Sequence, residues 1–319
     1  MISIVIPVYN VGRYIEQCVE SIFPVQGVSF EILLIDDGSE DDSPDICDLL
    51  AKRHPEIRVI HKENGGAADA RNVGIREAKA GTIMFADGDD FFPPRAVERI
   101  AESIRPDVQV LTMDFYEFYG TERIERKKHL NIDALLDEDG RASSATFSTV
   151  SPLPMPWLYA IDRGFLIENR IFMHKGLLDE DEEWTARLFA CRPTVALIKE
   201  SLYFYRRNRE ASLTYGRTLK NTKADLTILR LLTDEIKSGK YDSIGCVILE
   251  NKCRQMIAKI MADAIPDKER KAIKKELHPY MKLLKNGRLP EKIHYYLDPI
   301  IGRKNCEKLV SMCVAVMKR

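Results

Sequence analysis

The stretch at residues 83–90 constrains the fold more than any other part of this sequence. A short apolar run stops at Asp87, and Asp89 and Asp90 then bring the count to three carboxylates within four positions. The run is typical of a buried strand, and we expect Gly88 to let the backbone turn tightly so that the carboxylates converge. Clustered carboxylates raise each other's pKa unless a positive group lies between them. The stretch indicates either a Mg²⁺ or Mn²⁺ site that also takes substrate phosphates, or a solvated acidic loop after an edge strand.

Short apolar runs alternate with helical patterns along the first 112 residues. Runs typical of strands, the first of them stopped by Pro7, occur at 2–6, 31–35, 57–60, 82–86 and 108–112, and helical spacing occurs between them at 11–23, 41–50, 67–80 and 95–104. This alternation predicts an α/β fold with a mostly parallel central sheet flanked by helices. Polar residues follow four strand ends, and ligands of open α/β sheets bind beyond the carboxyl ends of the strands. We therefore expect a ligand site along that edge.

Beyond residue 115 the alternation weakens. A strand or hairpin is indicated near 115–118, helices at 163–169 and 182–189, and a short strand at 195–198. The Pro-rich segment at 151–156 fits neither a helix nor a central strand. From about residue 215 the pattern is helical. We therefore predict an α/β domain over residues 1–214, with two halves that meet near residue 114, and a helical C-terminal region over 215–319.

Charge is distributed unevenly between these two regions. Residues 1–214 contain 25 Lys and Arg against 37 Asp and Glu, whereas residues 215–319 contain 23 against 12. Amphipathic stripes at 247–264 and 305–317 lie in the basic region. Such helices can lie on an anionic membrane, pack on the protein's own body or join a second copy in a homodimer, and the pattern leaves all three open. We expect no nucleic-acid partner.

Several classes of protein are excluded or made unfavourable by what the sequence lacks. The seven cysteines are dispersed, without a Cys-x-x-Cys pair, which indicates reduced thiols and no disulfide frame or zinc site. No Gly-x-Gly-x-x-Gly opens a helix and no Walker A sequence occurs, so neither a dinucleotide fingerprint nor a P-loop is present. We find no signal-peptide pattern and no apolar run near the roughly 20 residues that span a bilayer. We expect a cytoplasmic protein, with peripheral contact at the inner face of the membrane left open.

Six motifs, in order, resemble the signature series of family 2 glycosyltransferases. They are SIVIPVYN at 3–10, DDGS at 36–39, ARNVGI at 70–75, DGDD at 87–90, KGLLDED at 175–181 and LYFYR at 202–206. The resemblance covers about residues 1–215 and implies a GT-A fold, with a nucleotide-sugar half at 1–114 and an acceptor half at 115–214. It also implies inverting transfer of a hexosyl or hexosaminyl group from a UDP-sugar to a hydroxyl of a glycan or lipid-linked acceptor. A role in surface polysaccharide biosynthesis would follow.

The same resemblance implies roles for individual residues. Contacts to the nucleotide sugar would come from Pro7, Tyr9, Asp37, Arg71, Asp87 and Asp89. Among these, Asp37 would accept a hydrogen bond from the uracil ring and Asp87 would contact the ribose. The divalent metal on the pyrophosphate would be held by Asp89, with Asp90 helping. As alternatives, Asp37 fits an ordinary turn, and Arg71 fits a surface position on a helix.

Asp181 would be the general base that takes the proton of the acceptor hydroxyl. It lies in a run of five acids at 179–183, where like charges should raise its pKa and improve it as a base. The alternative is a solvated helix start, because acids favour the first turn of a helix. His174 near this run could reach the pyrophosphate or the metal, or could be structural.

Other side chains and other functions leave alternatives open. Trp157 and Trp184 could stack on a sugar or lie in the core, and Arg206 and Arg207 could grip phosphate or be surface charges. A nucleotidyltransferase would need a basic, phosphate-gripping loop after the first strand, where the sequence offers only Arg13. A catalytically silent sugar-nucleotide-binding protein would keep the fold, although the complete acidic set argues against it.

Overall fold

The first half of the chain forms the parallel part of the sheet, as predicted. The computed structural model describes residues 1–23, 25, 27–120, 124–127, 132–148, 151–207, 218–263 and 265–284. The strands are β1 (Ile2–Val8), β2 (Phe30–Asp36), β3 (Ile57–His61) and β4 (Thr82–Phe85), and the helices between them are α1 (Gly12–Glu20), α2 (Ser43–Arg53) and α3 (Ala67–Glu77). The spatial order is β3-β2-β1-β4, all parallel. The carboxyl ends of the four strands therefore share one edge.

Strand β1 continues through Pro7 to Val8, so the prediction that Pro7 stops the strand was wrong. Pro7 pairs in register with Ile35 of β2. On the other side, β4 ends at Phe85, which lies opposite Val5. A proline is tolerated where its missing N–H faces no neighbouring strand. The end of β1 thus reaches past β4 and borders the acidic turn.

Across the residues that the structure describes, the second half completes a mixed sheet of eight strands. It contains α4 (Ala96–Ser103), β5 (Val110–Phe118), β6 (Ile124–Lys127), β7 (Tyr159–Asp162), α5 (Arg163–Glu168), α6 (Glu180–Ala190) and β8 (Val195–Arg206). Strand β7 lies between β4 and β5 and is antiparallel to both, while β6 pairs with the end of β5. Strand β8 runs parallel to β5 along its whole length. The structure thus joins the two runs predicted near 108–118 into one strand and extends the predicted 195–198 strand to residue 206.

The C-terminal helices pack on the body of the protein. They are α7 (Leu219–Lys237), α8 (Ser243–Ala262) and α9 (Asp267–Leu277), followed by a 3₁₀ helix at His278–Leu284. Helices α7 and α8 contact each other and α6. The apolar stripe of α8 is buried, with Ile248, Cys253, Met256, Ile257 and Ile260 at most 1% exposed. Of the three possibilities for this stripe, the structure shows packing on the protein's own body, whereas the stripe at 305–317 lies outside the described residues.

Among the helices in the described ranges, none is both long enough and apolar enough to cross a membrane.

Candidate functional site

The acidic turn, residues 87–90, lies at the carboxyl end of β4 beside the end of β1. The turn is closed by a hydrogen bond of 3.0 Å from the Asp90 N–H to the Asp87 carbonyl. A Cβ atom on Gly88 would lie 3.0 Å from Val11 Cγ2 and 3.3 Å from the Pro7 carbonyl oxygen. A larger residue at position 88 would therefore press on Val11 and Pro7, and this close approach, not the predicted backbone freedom, favours glycine here.

The three carboxylates of the acidic turn differ in exposure. The Asp87 side chain is 31% exposed and Asp89 is partly exposed, whereas Asp90 is buried. Asp90 accepts hydrogen bonds from the Tyr203 hydroxyl at 2.9 Å and from the Arg206 backbone N–H at 2.7 Å. Burial, together with the charges of Asp89 and Asp87, raises the pKa of Asp90 well above its ordinary value. The metal-binding role of Asp90 stays a prediction, and its present contacts fasten the turn to β8.

Tyr203 of β8 is a site residue whose role sequence reasoning did not identify. Its hydroxyl accepts a hydrogen bond of 2.9 Å from the Asp87 N–H and donates one to Asp90. The ring stacks on Trp157 with centroids 4.4 Å apart. Trp157 is 3% exposed and Trp184 is fully buried, so both tryptophans are core residues and the sugar-stacking alternative is wrong for both. Tyr203 belongs to the motif at 202–206, but the sequence did not indicate what its side chain would contact.

Arg206 holds the backbone of the acidic turn. Its Nε donates to the Asp89 carbonyl oxygen at 2.7 Å. The guanidinium lies 5.0–5.3 Å from the centroids of three aromatic rings, which are those of Tyr14, Phe91 and Phe118. Arg207 instead pairs with Glu117 at 3.1 Å. Both arginines thus have protein partners, and Arg206 positions Asp89.

Asp37, after β2, is buried and organises the loop that follows β3. Its two carboxylate oxygens accept hydrogen bonds from the N–H groups of Gly65 and Gly66 at 3.0 and 2.7 Å, and the Lys62 ammonium pairs with it. Gly66 has a φ of +86°, which favours glycine. Asp37 is therefore more than an ordinary turn residue, and a hydrogen bond to a uracil ring stays a prediction. Lys62 was missed because nothing in its local pattern marks it.

The loop after β1 carries the other two residues predicted for the nucleotide. Pro7 is partly exposed, and Tyr9 is 48% exposed at the rim of the site. Asn10 has a φ of +52° and is tied to the turn after β2, because its N–H donates to Ser39 Oγ at 3.2 Å. The structure thus brings the ends of β1, β2 and β4 together at one edge, while the nucleotide contacts of Pro7 and Tyr9 stay predictions.

Arg71 of α3 connects the acidic turn to α6. It is 7% exposed, so the surface-residue alternative is wrong. Its Nη2 lies 2.7 Å from Asp87 Oδ1 and its Nη1 lies 3.2 Å from Glu180 Oε1. Next to it on α3, Asp69 pairs with Lys62 and with Lys175, the latter on the segment that leads into α6. Two ionic links therefore join α3 to the region around Asp181.

The five acids at 179–183 have different partners, and Asp181 stands apart. Asn221 of α7 contacts Asp179, and Arg71 contacts Glu180. Lys252 and Lys259 of α8 contact Glu182. Arg187 and His174 contact Glu183. Asp181 Oδ1 accepts a hydrogen bond of 2.9 Å from the Glu182 N–H. Within the described ranges, Asp181 is the one acid of the five without a side-chain partner.

The environment of Asp181 favours a protonatable carboxyl near neutral pH. Burial, followed by the charges of Glu182 and Glu180, raises the pKa of Asp181 to about 8, and Arg71 opposes the shift. The side chain keeps part of its surface open to solvent. His174 Nε2 lies 3.6 Å from Glu183 Oε1, which agrees with the structural alternative for this histidine. Asp181 thus has both the exposure and the pKa range of a general base.

The residues of the acidic turn fit a divalent ion that is shared with phosphate oxygens. Among the residues that the structure describes, no cluster of three or more His, Cys, Asp or Glu side chains could hold a metal unaided. Asp87 and Asp89 are partly exposed oxygen donors at one strand end, and Mg²⁺ and Mn²⁺ accept one or two carboxylates when phosphates complete their coordination. The donor set therefore fits such an ion only together with a ligand that carries phosphate.

Solved structures show which fold this arrangement belongs to. Over 99% of this chain and 92% of the other, the structure superposes on Staphylococcus aureus TarS 1–349 in complex with UDP-GlcNAc, with a TM-score of 0.71 at 15% identity. It also resembles the mannosyltransferase PcManGT from Pyrobaculum calidifontis in complex with GDP-Man and Mn²⁺, with a TM-score of 0.55 at 14% identity, over 99% of this chain and 84% of that one. The predicted GT-A fold is confirmed by these likenesses.

Sequence comparisons agree with the motifs. Glycosyltransferase GlyG of Streptococcus pneumoniae serotype 4 (strain ATCC BAA-334 / TIGR4) is 31% identical over 218 residues, which is 65% of this chain and 71% of GlyG. The chain spans only 60–65% of the length of three further curated relatives. Residues 3–171, more than half of the chain, match the family model described as Glycosyl transferase family 2. The chain belongs to glycosyl transferase family 2.

Proposed function

We propose that the protein transfers a hexosyl or hexosaminyl group from a UDP-sugar to a hydroxyl of a glycan or lipid-linked acceptor, with inversion. One observation carries the proposal: a single buried arginine, Arg71, contacts Asp87 of the acidic turn and Glu180, the neighbour of Asp181. The end of the sheet where a donor nucleotide would lie and the acid suited to deprotonate an acceptor are thereby held in one fixed arrangement. Bound UDP-GlcNAc in TarS, which shares the fold, supports the choice of donor class.

Asp181 acts as the general base in this proposal. Its carboxylate takes the proton of the acceptor hydroxyl while the hydroxyl oxygen attacks the anomeric carbon and the bond to the diphosphate breaks. A single displacement of this kind inverts the anomeric configuration. General-base assistance of this kind is typically worth ~10²–10⁴-fold. The other acids of the run are occupied by their own partners, which leaves Asp181 available for the substrate.

The acidic turn would hold the diphosphate end of the donor. Asp89, with help from Asp90, would bind a divalent ion, which neutralises negative charge on the leaving diphosphate when it is bound. Arg206 keeps Asp89 in place through its backbone carbonyl. Asp87 would contact the ribose, and its pairing with Arg71 fixes its orientation. The donor would be bound and oriented before the acceptor is deprotonated.

The nucleotide base would lie between the ends of β1 and β2. Asp37 would accept a hydrogen bond from uracil in addition to its three present donors, and the exposed Tyr9 would border the base. Donor sugar, acceptor and linkage depend on loops that carry no transferable motif. Surface polysaccharide biosynthesis is the process that fits an acceptor of this class.

The test is turnover with a panel of UDP-sugars and saccharide acceptors in the presence of Mg²⁺ or Mn²⁺, followed by NMR of the product. We expect UDP release coupled to a new glycosidic bond of inverted configuration. Retained configuration would refute the mechanism. Pyrophosphate release from a nucleoside triphosphate and a sugar phosphate would instead identify a nucleotidyltransferase. Binding of a UDP-sugar without turnover or hydrolysis under any of these conditions would identify a silent binding protein.

A further inference from the structure

A group of four charges, two of them buried and two partly exposed, joins the C-terminal helices to α6, directly beside Asp181. It consists of Glu182 on α6, Asp225 on α7, and Lys252 and Lys259 on α8; we call it the interhelix charge cluster. The Lys252 ammonium pairs with Glu182, and Lys259 Nζ lies 3.2 Å from Glu182 and 3.3 Å from Asp225. Asp225 is fully buried and Lys252 is 5% exposed. Two acids and two lysines make the cluster neutral as a whole.

The cluster is a costly way to pack helices together. Taking charges out of water carries a penalty that their mutual attraction often fails to repay, and apolar residues of similar volume can be equally or more stabilising. Lys252 is held further by the Phe147 ring, whose centroid lies 4.9 Å from its Nζ. Such specific placement of a buried cation is better explained by a need for charge and orientation at Glu182 than by stability alone.

Glu182 is the point at which the cluster meets the proposed base. Its backbone N–H donates to the Asp181 carboxylate at 2.9 Å, and its side chain is fixed by the two lysines. Although burial alone would raise the pKa of Glu182, Lys252 and Lys259 lower it to about 2. Glu182 is therefore anionic at every pH at which the protein would work.

We propose that Lys252 of α8 is a positioning residue for the reaction, which acts through Glu182 to set both the orientation of the first turn of α6 and the charge next to Asp181. This inference rests on the proposed function, because it gives the C-terminal helical region a part in that reaction. The helices predicted as a separate basic region would then be needed to complete the site. Their positive charge has a defined task at Glu182.

The charged and titratable groups that face Asp181 come from three elements. On α6 they are Asp179, Glu180 and Glu182, from α3 there is Arg71, and from β7 there is Tyr159, whose hydroxyl donates to the Leu153 carbonyl at 2.6 Å. Glu182 in turn is contacted by Lys252 and Lys259, and Lys259 also contacts Asp225. A change of charge at Lys252 or Glu182 is therefore expected to be felt at Asp181.

The experiment measures the titration of Asp181 directly, by ¹³C NMR of carboxyl-labelled aspartate, with Asp181→Asn to assign the signal. In Lys252→Met, Glu182 loses one of its two cations, so we expect the Asp181 pKa to rise. In Glu182→Gln the strongest negative charge acting on Asp181 is removed, so the pKa should fall, and by the larger amount. Lys252→Arg should stay near the wild-type value. The matched control, Lys237→Met, removes an exposed lysine of α7 and should leave the titration unchanged.

The two shifts in opposite directions are what a merely structural role would not produce. A wild-type titration of Asp181 in Lys252→Met or Glu182→Gln, or shifts in the same direction in these two variants, would overturn the proposal. If Lys252→Met fails to fold, an unchanged titration in Glu182→Gln still overturns it. The NMR titration does not depend on turnover. If the proposed function is wrong and this inference is right, Asp181 of the wild-type protein titrates as expected while the protein transfers no sugar. In an active enzyme, the acid limb of the kcat–pH profile should move with the NMR value.

Discussion

The two acidic groups of the site are held in contrasting ways. At the acidic turn, Asp90 is held by a hydroxyl and a backbone N–H, which are neutral donors and carry no positive charge. On α6, Glu182 and Glu183 are held by lysines and an arginine, which are positively charged donors. The first arrangement brings no cation to Asp90, whereas the second gives Glu182 and Glu183 cationic partners and, among the described residues, leaves Asp181 without a side-chain partner. The difference agrees with the proposed function, in which the first group binds an ion and Asp181 in the second acts as the base.

Removing the base should give the largest effect and should affect turnover alone. We expect Asp181→Asn to lower kcat by ~10²–10⁴-fold and to leave UDP-sugar affinity unchanged, because the carboxylate lies on the acceptor side of Arg71. Kinetics and calorimetric UDP titration measure the two quantities. Asp234→Asn, an exposed acid on α7, serves as the control and should behave as wild type. A variant with weakened UDP binding and normal kcat would contradict the division of labour.

Removing Asp89, the proposed ion ligand, should weaken binding of the donor nucleotide. In Asp89→Ala we expect UDP binding to lose its dependence on Mg²⁺ or Mn²⁺, with a fall in affinity of about 10-fold or more, on the scale seen when groups around a metal are changed. Affinity is measured with and without chelator. Metal-dependent binding that survives intact would move the ion away from this turn.

The pH dependence should report the isolated base. Because burial and acidic neighbours raise the pKa of Asp181 to about 8, only about a tenth of the carboxyl is ionised at pH 7, so kcat should rise roughly tenfold between pH 7 and pH 9. The sign follows from the role: a base works when deprotonated, so activity is lost as pH falls through that value. A profile of kcat that is flat across this range would argue against Asp181 as the titrating base.

We expect the smallest effect, a loss of folding stability, from removing the hydroxyl that anchors the acidic turn to β8. Tyr203→Phe removes the hydroxyl that joins the Asp87 N–H to Asp90, and an unsatisfied buried group costs about 1–3 kcal/mol. The free energy of unfolding is measured by urea denaturation. Tyr205→Phe is the matched control on the same strand, because its hydroxyl makes only a 3.4 Å contact with Arg207. Equal losses in both variants would mean that the hydrogen bonds of Tyr203 are not the cause.

Features that a local sequence pattern records could be predicted, whereas contacts between distant residues could not. The parallel strands and the acids at their ends were predicted because each is a local pattern, a short apolar run followed at once by polar residues. The role of Asp181 was predicted only through a family resemblance. Tyr203 on Asp90 and Lys252 on Glu182 were not predicted, because each contact joins residues 70 or more positions apart and no local pattern records a partner at that separation. Strand β7 was missed because four residues after a Pro-rich segment are too few to show a period.

The fastening of the acidic turn to β8 has a consequence for how the protein is made. Asp90 and Arg206 are 116 residues apart, and at 5–20 residues per second a ribosome needs about 6–23 s to travel from one to the other. During that interval the nascent donor half has its strands but lacks the hydroxyl and the N–H that satisfy Asp90, so the carboxylate must stay in water. Nucleotide-binding competence is therefore expected to appear late in synthesis, and a graft of residues 1–114 onto another scaffold should bind poorly unless β8 travels with it.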